Sequence, residues 1–254
     1  MPLPQYLYKY RSLSSIEHLQ RAKNILVNNR IYFAPASSFN DPFEGQVPIS
    51  FNGSATKKLN KLRSIAIKRG PNGVDGNRWA IRALESDIAT PEAHIHEDLR
   101  KVFREEASFC TLSEKHDDKL MWAHYANHFK GICIAYSLSR LCRKLAKNIT
   151  FVRMYYHEKE PTLRRTRKEA SELARAVLSQ KNYRWLYERE WRMFARSGKA
   201  YYHDVACIKR VYLGSRIEPN HRIRIMTVLN RLDIKALRMK IDAYSIRFTS
   251  IPKP

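Results

Sequence analysis

The chain has 254 residues, of which 44% are hydrophobic and 11% aromatic, enough for a well-formed core. No run of about eighteen apolar residues occurs, so no membrane span is predicted, and the start of the chain lacks the apolar centre of a signal peptide. The four cysteines form no C-x-x-C pair, so neither a zinc knuckle nor a redox motif is indicated. We therefore expect a reduced, cytoplasmic protein.

The net charge of +23 is concentrated in the second half of the chain. Residues 1–127 carry 18 basic and 14 acidic side chains, a difference of +4, whereas residues 128–254 carry 29 and 10, a difference of +19. Such a field attracts polyanions, so nucleic acid or nucleotide phosphate is the expected partner. The alternative is a surface that only keeps the protein in solution. The sequence does not indicate an oligomeric state.

Apolar periodicity and turn residues predict strands over 6–11, 30–34 and 108–112 in the first half. A capping box at Ser14-Ser15-Ile16-Glu17 opens a helix to about Val27, and further helices are predicted over 55–69, 77–106 and 119–125. The helical pattern of 77–106 is interrupted before Pro91. The stretch 35–48 is predicted to be a loop.

In the second half, strands are predicted over 131–136, 150–157, 190–195, 208–213, 234–239 and 244–249, and helices over 138–147, 163–183 and 219–231. Strands and helices do not alternate one to one. This favours one α+β domain over 1–254, with a mixed or antiparallel sheet, whole or split, and a helical insert at 55–106. Neither G-x-G-x-x-G nor a P-loop occurs, so no Rossmann or NTPase fold is indicated.

Four clusters of polar and aromatic residues lie far apart in the sequence, at 8–11, 39–44, 121–125 and 187–192. Aromatic side chains bury the ionisable groups beside them, which shifts pKa values and strengthens charge pairing. Four such clusters in one chain suggest a single site assembled from distant segments.

The same clusters, in the same order, resemble a bacterial family of unknown function, the one numbered twenty-nine seventy-one. The resemblance rests on the tyrosine-rich strand that ends at Arg11, the Asn-Asp-Pro-Phe-Glu loop at 40–44 and the Met-Trp-Ala-His-Tyr segment at 121–125. It extends to Tyr-Glu-Arg-Glu-Trp-Arg at 187–192 and to the strand 208–213 that ends before Gly214.

The residues of these clusters have alternative roles. Arg11 suits a phosphate or carboxylate ligand, or a salt bridge to Glu44. Asn40 lies in an Asn-Asp-Pro turn that is either structural, pinned by Phe39 and Phe43, or the start of a site in which Glu44 faces a cleft. His124 is expected to hydrogen-bond in a site; its spacing from His128 matches metal ligands, but no third ligand is indicated and no metal site is predicted.

Glu188 and Glu190 flank Arg189. If this stretch is extended, both carboxylates point to one face, where one of them could orient a ribose hydroxyl or act as a base. The alternative is a pair bridged to Arg184 or Arg192. Of the two glutamates, Glu190 is the favoured catalytic residue, and Glu188 and His124 are expected beside it.

The layout is also similar, at the level of the fold, to the ADP-ribosyltransferase superfamily. That resemblance implies NAD as the cofactor, Arg11 as the residue that holds the dinucleotide, Tyr32 as the ring that stacks on nicotinamide and Glu190 as the catalytic carboxylate. Tyr10, Asn40 and Tyr125 are expected to line the same cofactor site. The excess of positive charge would suit nucleic acid as the acceptor of ADP-ribose, in a bacterial or phage defence or toxin system.

Two alternatives stay open. In the first, the protein is a module that binds nucleic acid. In the second, it is a metal-dependent nuclease whose carboxylates hold magnesium, namely Asp41, Glu44, Glu188 and Glu190. A non-enzymatic interaction protein is the third reading. The sequence contains no compact nuclease motif.

Overall fold

A computed structural model of the chain describes residues 3–35, 38, 41, 49–50, 54, 56–57, 59–60, 64, 108–145, 149–159, 163–164, 170–195, 199–201 and 205–251. The chain divides into two compact units. We call residues 1–34, 108–156 and 183–254 the sheet unit, and residues 35–107 and 157–182 the second unit. The prediction of one domain with a helical insert over 55–106 stays a prediction. Residues 56–57, 59–60 and 64 are helical, as expected.

The strands are β1 (Tyr6–Arg11), β2 (Arg30–Tyr32), β3 (Ala34–Pro35), β4 (Ile49–Ser50), β5 (Ser108–Ser113), β6 (Ile132–Ser137), β7 (Thr150–Arg153), β8 (Tyr155–His157), β9 (Leu163–Arg164), β10 (Gln180–Asn182), β11 (Glu190–Ala195), β12 (Lys199–Tyr201), β13 (Ile208–Leu213), β14 (Lys235–Asp242) and β15 (Ser245–Ser250). The α-helices are α1 (Ile16–Val27), α2 (Lys119–Tyr125), α3 (Leu138–Lys144), α4 (Ala170–Val177) and α5 (Pro219–Arg231). Short 3-10 helices cover Tyr183–Glu188 and Val205–Cys207.

The sheet unit is built on strands in the order β15-β14-β13-β6-β1-β5-β11-β7. Neighbours along this path are antiparallel except β13 and β14, which are parallel and are joined by α5. A parallel pair needs such a crossover, because its second strand must start at the same end of the sheet as the first. β2 and β12 form a separate antiparallel pair. The mixed sheet with helices confirms the predicted α+β class.

The two faces of the sheet carry two different cores. Helices α1, α3 and α5 bury one apolar stripe each in the larger core, against the face that carries Leu7, Ile134 and Val211. Helix α2 contributes Met121 and Trp122 to the smaller, aromatic core on the other face. Among the described residues, three helices therefore pack on one face, whereas α2 is the helix that packs on the other.

Several elements have the predicted bounds, among them β1, α2, β11, β13 and α5. The cap of α1 is Ser15, whose hydroxyl accepts from His18 N at 3.3 Å, so the cap lies one residue later than a box from Ser14 to Glu17. The predicted strand 150–157 is two strands, β7 and β8, separated by the buried Met154.

The predicted helix over 163–183 is wrong at both ends, although Ala170–Val177 is helical. Within the second unit, Leu163–Arg164 is a strand paired in parallel with β4, and α4 ends at Val177. The reason is local, because Ser179 Oγ donates to Arg175 O at 2.6 Å and Gln180 Nε2 donates to Ala176 O at 3.1 Å. These side chains thus donate to carbonyl oxygens that would accept backbone N–H groups if the helix continued. Within the described ranges, no helix is long and apolar enough to cross a bilayer.

Candidate functional site

Helix α2 presents two polar-aromatic side chains away from the core. Asp118 caps the helix and accepts from Met121 N at 3.0 Å, which fixes where the first turn begins. Met121 and Trp122 are buried in the aromatic core. In a helix of seven residues this leaves His124 and Tyr125 on the exposed side, at the C-terminal turn.

The chain leaves α2 through three consecutive left-handed residues. Asn127, His128 and Phe129 have φ values of 48°, 52° and 68°. His128 therefore does not continue the helix, and the four-residue spacing from His124 does not place both imidazoles on one helical face. Among the described residues, no group of three or more His, Cys, Asp or Glu side chains is placed to hold a metal ion.

The 3-10 helix Tyr183–Glu188 lies against α2 through two hydrogen bonds. Tyr125 OH donates to Glu188 Oε1 at 2.5 Å, and His124 Nδ1 is hydrogen-bonded to Tyr187 OH at 3.1 Å. The backbone carbonyl of Glu188 accepts from Ser113 Oγ at 2.7 Å. Glu188 is only 4% exposed, so its carboxylate is enclosed behind the phenol of Tyr125.

Glu188 and Glu190 converge, although not through an extended backbone. Arg189 between them has a φ of 45°, which reverses the chain at the junction of the 3-10 helix and β11. Burial raises the pKa of Tyr125, and the negative charges of Glu188 and then Glu190 raise it further. Both carboxylates therefore lie near one phenol, which stays protonated.

Glu190 is bound to a buried guanidinium. Arg192 Nε and Nη2 donate to its two carboxylate oxygens at 2.7 and 3.4 Å, and Arg192 is fully buried while Glu190 is 4% exposed. The guanidinium also lies over the ring of Phe109, at 4.4 Å from its centroid. This arrangement is that of a buried ion pair, which favours Glu188 over Glu190 as the carboxylate available for chemistry.

Arg11 and Glu190 lie on opposite faces of the sheet. Ser113 is paired with Tyr8 on one side and with Glu190 on the other, and paired side chains share a face. Arg11 is three residues after Tyr8, so its side chain points to the face of the larger core. Arg11 and Glu190 therefore do not share a face of the sheet, and their expected convergence with His124 on one cleft stays a prediction.

The other residues assigned to the cofactor site are also separated. Tyr10 is buried, and its hydroxyl donates to Lys115 O at 2.9 Å while its ring packs edge-on against Trp122. Tyr32 is 46% exposed on β2, between Ile31 and Phe33 of the larger core. Asn40 lies outside the described residues, as does Glu44. Among the members of this set that the structure describes, Tyr125 is the one that adjoins Glu188.

Lys9 lies on β1, and its side chain reaches across to β5. Its Nζ donates to Thr111 O at 2.5 Å and to Thr111 Oγ1 at 2.9 Å. Burial lowers the pKa of Lys9 and the charge of Arg11 lowers it further, whereas Glu190 acts in the opposite direction.

His116 belongs to the aromatic core and was not singled out from the sequence. Its ring lies 4.6 Å from that of Tyr212, 5.1 Å from Tyr8 and 5.3 Å from Phe248, measured between centroids. Burial lowers the pKa of His116, which favours its neutral form. Neither the preceding strand nor the surrounding loop shows an apolar periodicity that would have indicated a buried residue at this position.

A second group that the sequence did not single out is a connected row of rings. We define the ring surface as His124, Tyr125, Tyr187 and Trp185. The centroid distances along it are 6.3 Å between His124 and Tyr125, 6.0 Å between His124 and Tyr187, and 6.1 Å between Tyr187 and Trp185. Trp185 and Tyr187 are half-buried, and the other two are exposed.

Comparison with known proteins gives a family match. Residues 121–193 match the family described as "Protein of unknown function (DUF2971)". The matched stretch contains α2 from Met121 onward, the 3-10 helix and Arg192, and so all of the ring surface. No curated protein and no solved structure matches the chain. The fold-level similarity to ADP-ribosyltransferases therefore stays a hypothesis.

Proposed function

We propose that the protein binds single-stranded nucleic acid on the ring surface. The observation that supports this most directly is the row of four rings, joined by three contacts, whose members are exposed or half-buried. Proteins that hold single strands stack successive bases on aromatic side chains, because every base offers a flat face. The pairing of His124 with Tyr187 and of Tyr125 with Glu188 keeps these rings in place before a ligand arrives.

The charge around the ring surface supports the same ligand. Arg184 and Arg189 are exposed on either side of the Trp185–Tyr187 pair in the chain. They belong to the half of the sequence that carries a charge of +19, from 29 basic and 10 acidic residues. Rings for bases together with cations for phosphates are the two parts that a single-strand groove requires.

Fluorescence anisotropy with a labelled single-stranded oligonucleotide tests the proposal. Loss of one stacking ring costs about 1–3 kcal/mol, so we expect Trp185→Ala to weaken binding by about 5- to 150-fold. Tyr155→Ala is the matched control, since Tyr155 is 62% exposed and is not part of the ring surface. Equal affinities for wild type, Trp185→Ala and Tyr155→Ala would overturn the proposal.

Transfer of ADP-ribose from NAD is the second candidate, and the enclosed carboxylates beside the ring surface favour it. Glu188 would face the cation that develops on the ribose, while a ring of the surface would stack on nicotinamide or adenine. Because Arg11 is on the other face of the sheet, Arg184 and Arg189 are the cations that we assign to the pyrophosphate. The magnesium-dependent nuclease has no such support among the described residues.

Release of nicotinamide from NAD, with and without single-stranded DNA or RNA, tests this candidate. Loss of a group that stabilises the transition state by its charge lowers the rate by about 10²- to 10³-fold, so we expect Glu188→Gln to fold and to lose turnover. A wild-type protein that releases no nicotinamide with either acceptor would rule the reaction out. That result would leave the nucleic-acid proposal standing, because the anisotropy assay does not depend on NAD.

A further inference from the structure

A pocket on the opposite face of the sheet is lined by three cations. It lies within the sheet unit, where β1, β2 and β5 meet α1. The described lining residues are Lys9, Arg11, Ile25, Arg30, Ile31, Cys110, Leu112 and Tyr136. None of these is a carboxylate. Like charges beside apolar walls repel one another more than they would in water, and this repulsion adds to the burial that disfavours the charged form of Lys9.

Arg11 carries a donor without an acceptor in this pocket. Its Nε is buried and has no hydrogen-bond partner in the part of the chain that the structure describes. A buried donor that stays unpaired lowers stability by about 1–3 kcal/mol, and more when the group is charged. The position of Arg11 is nevertheless fixed, because its carbonyl oxygen abuts Gly131 and its backbone pairs with Ile132.

The other two cations are arranged around Arg11. Lys9 is held by Thr111 O and Oγ1, so its ammonium stays at the inner side of the pocket. Arg30 begins β2 and is half-buried. The centre of the pocket has room for about one water molecule, which is also the size of one oxyanion oxygen. An anionic ligand would therefore place one oxygen in the pocket, and the remainder of the ligand would stay at the pocket opening.

We propose that this pocket binds a terminal phosphate group, with one oxygen inserted between Arg11, Lys9 and Arg30. A guanidinium fork matches phosphate oxygens, and the anion would remove the mutual repulsion of the three cations. The phosphate would come either from inorganic phosphate or from a mononucleotide. The site is separate from the ring surface, so the proposal does not depend on the function proposed above.

Thermal unfolding with added inorganic phosphate tests the site, with sodium chloride used to hold the ionic strength constant. A ligand that binds only the folded chain raises the Tm, and we expect this shift in wild type. Arg11→Gln should lose it, with an affinity weaker by about 10- to 150-fold, as for other hydrogen bonds between charged groups. Arg238→Gln is the control, since it removes the same charge from an exposed position on β14.

Arg30→Gln provides a second variant if Arg11→Gln fails to fold, and it should also lose the shift. AMP and adenosine distinguish the source of the phosphate, because a nucleotide ligand would shift the Tm more with AMP than phosphate does. Equal phosphate shifts in wild type and in the Arg11, Arg30 and Arg238 variants would overturn the site. So would a shift with adenosine as large as that with AMP.

Discussion

The phenol of Tyr125 donates a 2.5 Å hydrogen bond to Oε1 of Glu188, across 63 residues of sequence. This contact attaches the end of α2 to the segment that enters β11, and both ends of it belong to the stretch that matches the family. The carboxylate is enclosed and the phenol is 37% exposed, so the phenol covers the acid.

Removing that phenol hydroxyl should destabilise the protein. In Tyr125→Phe the enclosed carboxylate loses its short donor, and hydrogen bonds to charged groups contribute about 1.5–3 kcal/mol. Urea denaturation of the variant should show this loss. Tyr183→Phe is the control, because Tyr183 is 48% exposed on the same 3-10 helix. If Tyr125→Phe unfolds at the same urea concentration as Tyr183→Phe, the contact does not stabilise the fold.

Glu190→Gln should lower stability strongly, because it leaves the fully buried Arg192 with a neutral partner. Removing one member of a buried ion pair typically costs about 3–5 kcal/mol. The double variant Glu190→Gln with Arg192→Met should lose less than the two single variants added together, which a double-mutant cycle of unfolding free energies measures. Additive losses would contradict the pair. A stable Glu190→Gln without NAD turnover would return the catalytic role to Glu190.

Binding of single-stranded DNA should weaken as salt rises. Each neutralised phosphate contributes a slope of about −0.7 to the logarithm of affinity against the logarithm of salt concentration. Arg184→Glu should weaken binding and make this slope shallower, whereas Arg21→Glu, an exposed change on α1, should have little effect. A slope near zero in wild type would contradict a phosphate contribution, as would equal effects of the two reversals.

Stability should fall in mild acid because of His116. Its pKa is lowered in the folded chain by burial, so protonation is easier after unfolding. The stability that this neutral imidazole contributes is present above the ordinary pKa of about 6.5 and is lost as pH falls through the lower folded value. His116→Phe should remove this part of the pH dependence, while His128→Gln, at an exposed position, should retain it. Identical pH profiles for wild type and His116→Phe would disprove the assignment.

Gly131 should not tolerate a side chain. A Cβ there would lie 2.1 Å from Arg11 O and 2.9 Å from Ala126 O, both backbone atoms that cannot move aside alone. We expect Gly131→Ala to cost about 3 kcal/mol in thermal or chemical denaturation. The converse change, His128→Gly at a φ of 52°, should be neutral or stabilising by up to about 1 kcal/mol, because glycine adopts that conformation without strain. Loss of stability in both variants alike would contradict this reasoning.

Strand and helix positions were predictable where one face of an element is buried. The alternation in β1 and β11 gave their bounds because Leu7 and Met193 face one core while Tyr8 and Glu190 face away from it. Helix α4 was overextended because a basic, helix-favouring composition does not reveal that Ser179 occupies a carbonyl. Competition of this kind between a side chain and the backbone does not change the apolar periodicity of the sequence.

The candidate site was predictable in its members but not in its geometry. The sequence indicated Glu188, Glu190, His124 and Tyr125 because each lies in a polar-aromatic cluster. It did not indicate that Arg11 faces the other side, since that depends on which residue of β5 pairs with Tyr8. Nor could it reveal that Arg189 is left-handed, a conformation that arginine seldom adopts. Register and rare backbone conformations are properties of the assembled sheet.

The central place of β1 in the strand order has a consequence for how the chain acquires its structure. Both neighbours of β1, β6 and β5, lie about 100 residues or more downstream. At a synthesis rate of about 5–20 residues per second, the first strand therefore waits roughly 5–20 s before either partner exists. During that time its edges are unsatisfied and its tyrosines are uncovered, a state that invites association with other chains. The long loop closures involved also place this protein among slowly folding topologies, which are exposed to aggregation for longer.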